Sequence, residues 1–109
     1  MIGLLVLASV TATTPDKRCA ARVEFYQPAA GVVSTPLMAA SVAKLYLEQI
    51  YGADVIRREL PLQVSRTREV WHVRGGFQKP GFLKTAVGGV AEIDLCQSTG
   101  QVLRISHGK

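Results

Sequence analysis

The histidines His72 and His107 and the neighbouring carboxylates of Glu92 and Asp94 are the candidates for acid–base chemistry in this 109-residue sequence. His72 or His107 could activate one of several serines, with Asp94 as the orienting carboxylate. Glu92 lies two residues before Asp94, a spacing that places both carboxylates on one face of a strand. However, no serine or cysteine has the local context of a nucleophile, and short chains contain such combinations by chance. We therefore predict no catalytic residue and no enzymatic activity.

The sequence also lacks the spacings that bind cofactors. Neither histidine lies at a metal-ligand spacing from Cys19 or Cys96, and a closed zinc site needs four ligands. The pairs Gly75-Gly76 and Gly88-Gly89 lack the spacing and the following helix of a phosphate-binding loop. We expect no metal and no cofactor.

Charge indicates an acidic partner. Thirteen Lys and Arg residues against eight Asp and Glu give a net charge of +5. The basic residues are scattered along the chain between acidic ones, which is typical of a solvated surface. We therefore expect no nucleic-acid partner.

The N-terminal segment resembles a secretory signal. Residues 1–12 carry no charge and end in Val-Thr-Ala, which predicts cleavage after Ala12 and a periplasmic protein. Its run of about 10 apolar residues is too short to span a membrane. In an oxidising compartment Cys19 and Cys96 could form a disulfide. The alternative is a cytoplasmic protein in which this segment is a buried first strand and the two thiols are free.

One amphipathic helix should follow an N-terminal arm at residues 13–35. Thr35 can cap this helix, Pro36 suits its first position and Gly52 its end. Residues 53–59 add a further helical turn or a strand. The predicted apolar face of the helix consists of Ala39, Val42, Ala43, Tyr46 and Ile50.

Beyond Pro61 the hydrophobic period changes to two, which predicts four strands, at residues 62–65, 70–74, 90–95 and 101–105. A tight turn at residues 98–100 and a long loop at 75–89 make consecutive strands antiparallel. Residues 36–109 are therefore predicted to form an α+β domain with the helix on one face of a four-stranded antiparallel sheet.

Alternation along these strands predicts the two faces of the sheet. The residues expected on the helix side are Trp71, Val73, Ala91, Ile93, Leu95, Leu103 and Ile105. The residues expected on the opposite side are His72, Arg74, Glu92, Asp94, Cys96 and Arg104. Arg74 could form ordinary cross-strand ion pairs with Glu92 or Asp94.

The C-terminal part of the chain resembles a known family. The matching pieces are Tyr51-Gly52, Pro61-Leu62, Trp71-His72-Val73-Arg74-Gly75, residues 88–93, residues 99–103 and His107-Gly108-Lys109. Together they resemble bacterial immunity proteins with a nuclear-transport-factor-2 fold, which are associated with polymorphic toxins. The resemblance implies a cystatin-like α+β cone that binds and neutralises a cognate toxin.

Contact residues are expected on the polar sheet face and on the long loop, because loops often carry binding functions. They are His72, Arg74, Lys79, Lys84, Glu92, Asp94 and Arg104. Trp71 is assigned to the core, and Gly75, Gly88 and Gly89 to backbone geometry. The alternative functions are a periplasmic inhibitor of a hydrolase and a small-ligand-binding protein of the same fold. The chain is expected to be a monomer or a homodimer.

Overall fold

The computed structural model describes residues 14–19, 28–76 and 89–108, which form one layer of helix on one sheet. The elements are α1 (Pro36–Tyr51), α2 (Ala53–Arg57), β1 (Gln63–Thr67), β2 (Val70–Arg74), β3 (Ala91–Cys96) and β4 (Val102–His107). The strands pair antiparallel in the order β1-β2-β3-β4, and α1 packs against β1, β2 and β3. This confirms the predicted α+β fold. Residues 53–59 begin with the short helix α2.

Part of the sequence-based interpretation lies outside the described residues. The predicted signal segment 1–12, residues 20–27 of the arm, and Lys79, Lys84 and Gly88 of the long loop belong to this part.

Helix α1 begins and ends where its sequence predicts. The Thr35 hydroxyl accepts a hydrogen bond from the Met38 amide at 3.1 Å, and Pro36 occupies the first helical turn. Gly52 ends the helix at a φ of 102°, a conformation that residues with a side chain rarely adopt.

The buried face of α1 is narrower than predicted. It consists of Ala39, Ala43 and Leu47, three residues spaced four apart, and Val42 is half-buried beside them. Tyr46 and Ile50 were assigned to this face, but they are 44% and 50% exposed. The contact between α1 and the sheet runs along this single row, because the small side chains of Ala39 and Ala43 let the helix lie close to the sheet. Tyr46 lies beside this row and Ile50 in the last turn, so both remain accessible.

The two faces of the sheet follow the predicted alternation except at β4. Asp94 pairs with Arg104, but Leu95 pairs with Val102, so Leu103 is the extra residue of a β-bulge. Val102 therefore packs against the helix-side core. The prediction that Leu103 faces the helix is wrong, because the bulge turns this side chain to the opposite face.

On that opposite face, Leu103 covers a small second cluster of Cys19, Val70 and Cys96. Cys19 and Cys96 form the predicted disulfide, which joins residues 14–19 to the end of β3 across 77 residues of sequence. Both half-cystines are buried. The disulfide therefore fixes residues 14–19 of the N-terminal arm against the sheet.

A second part of the arm packs on the helix side. The Trp71 ring is buried as predicted, and its indole nitrogen donates a hydrogen bond of 2.8 Å to the Val33 carbonyl. The Val33 amide donates to the Gln97 carbonyl. Gly31 has a φ of 91°, and a Cβ there would lie 2.4 Å from the same carbonyl oxygen. Only glycine fits this close approach.

A matched pair of leucines in α1 tests this packing. Leu47→Ala should lower the free energy of unfolding by about 2–5 kcal/mol, because it leaves a cavity in the core. Leu45→Ala, at a side chain that is 67% exposed, should change it by less than about 0.5 kcal/mol. Urea denaturation followed by circular dichroism measures both. Equal losses would contradict the orientation of α1.

Candidate functional site

The polar side chains of β2, β3 and β4 come together on the sheet face opposite α1. Five of the predicted contact residues lie here, namely His72, Arg74, Glu92, Asp94 and Arg104. They line a cleft of about 290 Å³ together with Gln63, Val64, Ser65 and Val73. We call this region the polar cleft. It rests on four paired strands, so its backbone is rigidly held.

Asp94 is the centre of the hydrogen-bond network in the polar cleft. The residue is only 5% exposed, and one carboxylate oxygen lies 2.9 Å from Nδ1 of His72. An ionised carboxylate only accepts, so Nδ1 of His72 carries the proton of this hydrogen bond. The other oxygen accepts from Nε of Arg104 at 3.2 Å. Asp94 therefore joins all three strands.

Arg104 binds the second carboxylate of the cleft as well. It donates to Glu92 at 2.9 Å and to the Ser106 hydroxyl at 3.1 Å. The hydrogen bonds to Glu92 and then to Asp94 raise the pKa of Arg104, and the negative charge of Asp94 adds to this effect. Both carboxylates of the cleft are thus paired within the protein.

Arg74 is not paired in this way. The predicted ion pair between Arg74 and Glu92 or Asp94 is absent, although Arg74 and Glu92 are direct cross-strand neighbours. The guanidinium of Arg104 forms the ion pair with Glu92 instead. Within residues 14–19, 28–76 and 89–108, the guanidinium of Arg74 has no ion-pair partner. It lines the cleft and is exposed.

The N-terminal segment adds a further ion pair near the cleft. Asp16 accepts hydrogen bonds from the side chain and the backbone of Arg18, which lowers the pKa of Asp16 to about 2. The Asp16 amide donates to Glu69 at 2.9 Å. The same contact with Asp16 raises the pKa of Arg18, and Asp94 contributes to this shift. Arg18 is therefore close enough to Asp94 for the two charges to interact.

The cleft contains the members of a hydrolytic triad without the contacts that a triad needs. Ser65 is the cross-strand neighbour of His72, and His72 is bonded to Asp94. No hydrogen bond joins the Ser65 hydroxyl to His72 in this structure, and the hydrogen bond to Asp94 orients the His72 ring.

Glu59 forms a second polar cluster, which the sequence analysis missed. This residue is 8% exposed, and its carboxylate accepts from the Ala91 amide at 2.8 Å. Its other oxygen lies 2.9 Å from Nε2 of His107, whose ring packs against Tyr51 at 5.0 Å between centroids. The sequence around Glu59 contains no pattern that predicts its burial, because a charged residue close after a short helix is usually exposed.

Two glycines of the described chain leave no room for a side chain, and one of them, Gly75, faces Glu59. A Cβ at Gly75 would lie 2.1 Å from the Glu59 carboxylate. Gly89 has a φ of 63°, and a Cβ there would lie 2.6 Å from the backbone of Gly108. The predicted backbone roles of Gly75 and Gly89 are confirmed. Three residues of the family resemblance adjoin Glu59: Gly75 and His107 directly, and Tyr51 through the ring of His107.

The described part of the chain holds no group of three or more His, Cys, Asp or Glu residues that could bind a metal ion. No helix among these residues is long and apolar enough to cross a membrane.

A helix on one face of a four-stranded antiparallel sheet, with a polar cleft on the other face, is an α+β architecture of the nuclear-transport-factor-2 type. Residues 38–109 match the model of a family described as NTF2 fold immunity protein. The match covers more than half of the chain, and the protein belongs to this family.

The chain is also similar to the uncharacterized protein YhhH of Escherichia coli (strain K12). The two are 27% identical over 78 residues, which make up 72% of this chain and 58% of YhhH. The chain thus spans little more than half of the length of that relative. No solved structure matches the chain significantly.

A pair of glycine substitutions tests the Glu59 cluster. Gly75→Ala should lower the free energy of unfolding by about 1–3 kcal/mol, because the new methyl group displaces a carboxylate held by Ala91 and His107. Gly108→Ala is the control, since its Cβ would lie 4.0 Å from the nearest atom. Thermal and urea denaturation measure both. If Gly75→Ala left the free energy of unfolding unchanged, Glu59 would not be held in place as described.

Proposed function

We propose that this protein binds a cognate bacterial toxin and neutralises it. The observation that carries this proposal is the family match over residues 38–109. The described residues also place charged and polar groups together in the polar cleft, which fits neutralisation by binding.

The polar cleft is the surface that we propose for toxin binding. Helix α1 covers the other face of the sheet, and the backbone edges of β2 and β3 are paired with neighbouring strands. The cleft faces away from α1 and holds exposed charged side chains on a rigid support. The long loop with Lys79 and Lys84 connects β2 to β3 and so starts directly after Arg74.

The openness of the cleft favours a protein partner over the small-ligand alternative. Pockets for small molecules enclose most of the surface of their ligand. This cleft is open to solvent on one face of the sheet, where a protein surface can reach it.

We further propose that the protein acts in the periplasm. Two features support this location: the uncharged, apolar residues 1–12 and the disulfide between Cys19 and Cys96. Disulfides persist in oxidising compartments and are rare in the bacterial cytoplasm. A toxin met there would act on the cell envelope.

A rescue experiment tests the proposed function. The toxin encoded beside this gene is directed to the periplasm of a susceptible strain, with or without the full chain. We expect growth only when the chain is present, and we expect the purified pair to form a complex of nanomolar affinity or tighter. A catalytically inactive toxin variant controls for the burden of export. Growth arrest despite the chain, with no complex, would exclude the proposal.

Mass spectrometry of the chain recovered from a periplasmic extract tests the location. The expected species begins at Thr13 and gains the mass of two hydrogen atoms on reduction. Cys19→Ser with Cys96→Ser is the control, which should show no such gain. An uncleaved chain with two free thiols would contradict export.

A further inference from the structure

We propose that the polar cleft receives an acidic side chain, aspartate or glutamate, of the partner toxin, and that Arg74 is the residue that anchors it. This inference rests on the proposed function and adds the chemistry of the contact.

The first argument is that the acceptors of the cleft are already used. Glu92 binds Arg104, and Asp94 binds both Arg104 and His72. A basic side chain of a partner would have to displace Arg104 or His72 from these carboxylates. Displacing either would leave a cationic or hydrogen-bonding group without its partner, which is costly in a partly buried site.

The second argument is that several donors of the cleft have no partner among residues 14–19, 28–76 and 89–108. Arg74 has five N–H donors and no ion-pair partner among the described residues. Gln63 lies directly across from Arg74, and Ser65 directly across from His72. Neither side chain forms a hydrogen bond within the described parts of the chain. Three neighbouring groups can therefore donate to one anion.

The third argument concerns geometry. A planar guanidinium binds a carboxylate through two parallel hydrogen bonds, and such charge-assisted pairs are the strong ones. Arg74 is the last residue of β2, so its backbone is held by pairing with both β1 and β3. A protein carboxylate fits this site better than a whole small molecule, because the cleft is open and small. The chain's net charge of +5 would attract an acidic surface.

A charge reversal tests this anchor. Arg74→Glu should weaken the complex with the toxin encoded beside this gene by about 100-fold, because it places like charges in contact. Arg58→Glu is the matched control: Arg58 is exposed after α2, does not line the polar cleft, and undergoes the same change of charge. It should weaken binding by less than about threefold, the effect of a remote charge. Isothermal titration calorimetry measures both.

Two further variants separate charge from shape. Arg74→Lys keeps the charge but loses the paired hydrogen bonds, so its affinity should lie between those of the wild type and Arg74→Gln. In the toxin, an acidic residue whose replacement by arginine restores binding to Arg74→Glu would identify the bound side chain. Arg74 is exposed, so these variants should keep the wild-type melting temperature.

A second experiment probes the cleft without the toxin. A hexaglutamate peptide is titrated into the labelled full chain while the arginine side-chain N–H signals are followed by NMR. We expect the largest shift at Arg74, with backbone shifts at Gln63 and Ser65, and we expect their loss in Arg74→Gln. Hexaglutamine is the uncharged control. Equal shifts at Arg57, Arg58 and Arg74 would overturn the proposed site.

The two experiments distinguish the two proposals. If the wild-type chain binds the toxin and Arg74→Glu binds it equally well, the proposed anchor is wrong and the proposed function stands. If the wild-type chain does not bind the toxin, the function fails and the toxin contact fails with it. A hexaglutamate shift centred on Arg74 would then show only that the cleft binds carboxylates.

Discussion

The buried carboxylate of Asp94 determines the polar face of this protein. A charge at 5% exposure is tolerated only when it is paired, and Asp94 meets this need with one group from each neighbouring strand. His72 on β2 is thereby held in one orientation, and Arg104 on β4 is drawn toward β3. Since Arg104 also reaches Glu92, both acidic groups of the face are used internally. The pairing of Asp94 is thus the reason that the unused groups of the cleft are mainly donors.

Glu59 is a second buried carboxylate, which lies beside the core and outside the polar cleft. Its carboxylate connects the end of the helical layer to β3 through the Ala91 amide and to β4 through His107. Gly75 leaves space for it, where any side chain would collide. One part of the family resemblance, which includes Tyr51, Gly75 and His107, adjoins this cluster. Another part, which includes His72, Arg74 and Glu92, lines the polar cleft.

The hydrophobic periodicity of the sequence and its helix-capping and turn residues were enough to predict the architecture. Thr35, Pro36 and Gly52 predicted α1, and alternation predicted four strands. The tight turn at 98–100 and the long loop at 75–89 predicted that consecutive strands are antiparallel neighbours. The site was predicted in part, since alternation placed five polar residues on one face. Their pairing could not be predicted, because Arg74 and Arg104 compete for Glu92 and only three-dimensional distance decides between them. The bulge, the row of buried residues in α1 and the burial of Glu59 likewise depend on tertiary contacts.

The bulge at Leu103 explains why one sheet face can carry both a disulfide and a binding cleft. Because β4 contains an extra residue, the Leu103 side chain packs on Cys19, Val70 and Cys96. This end of the face is therefore an apolar cluster. Asp94 lies at the border, and beyond it the face is polar. The disulfide therefore holds residues 14–19 at the apolar end and leaves the cleft open. None of residues 14–19 lines the cleft, and the charge of Arg18 in this segment is paired with Asp16.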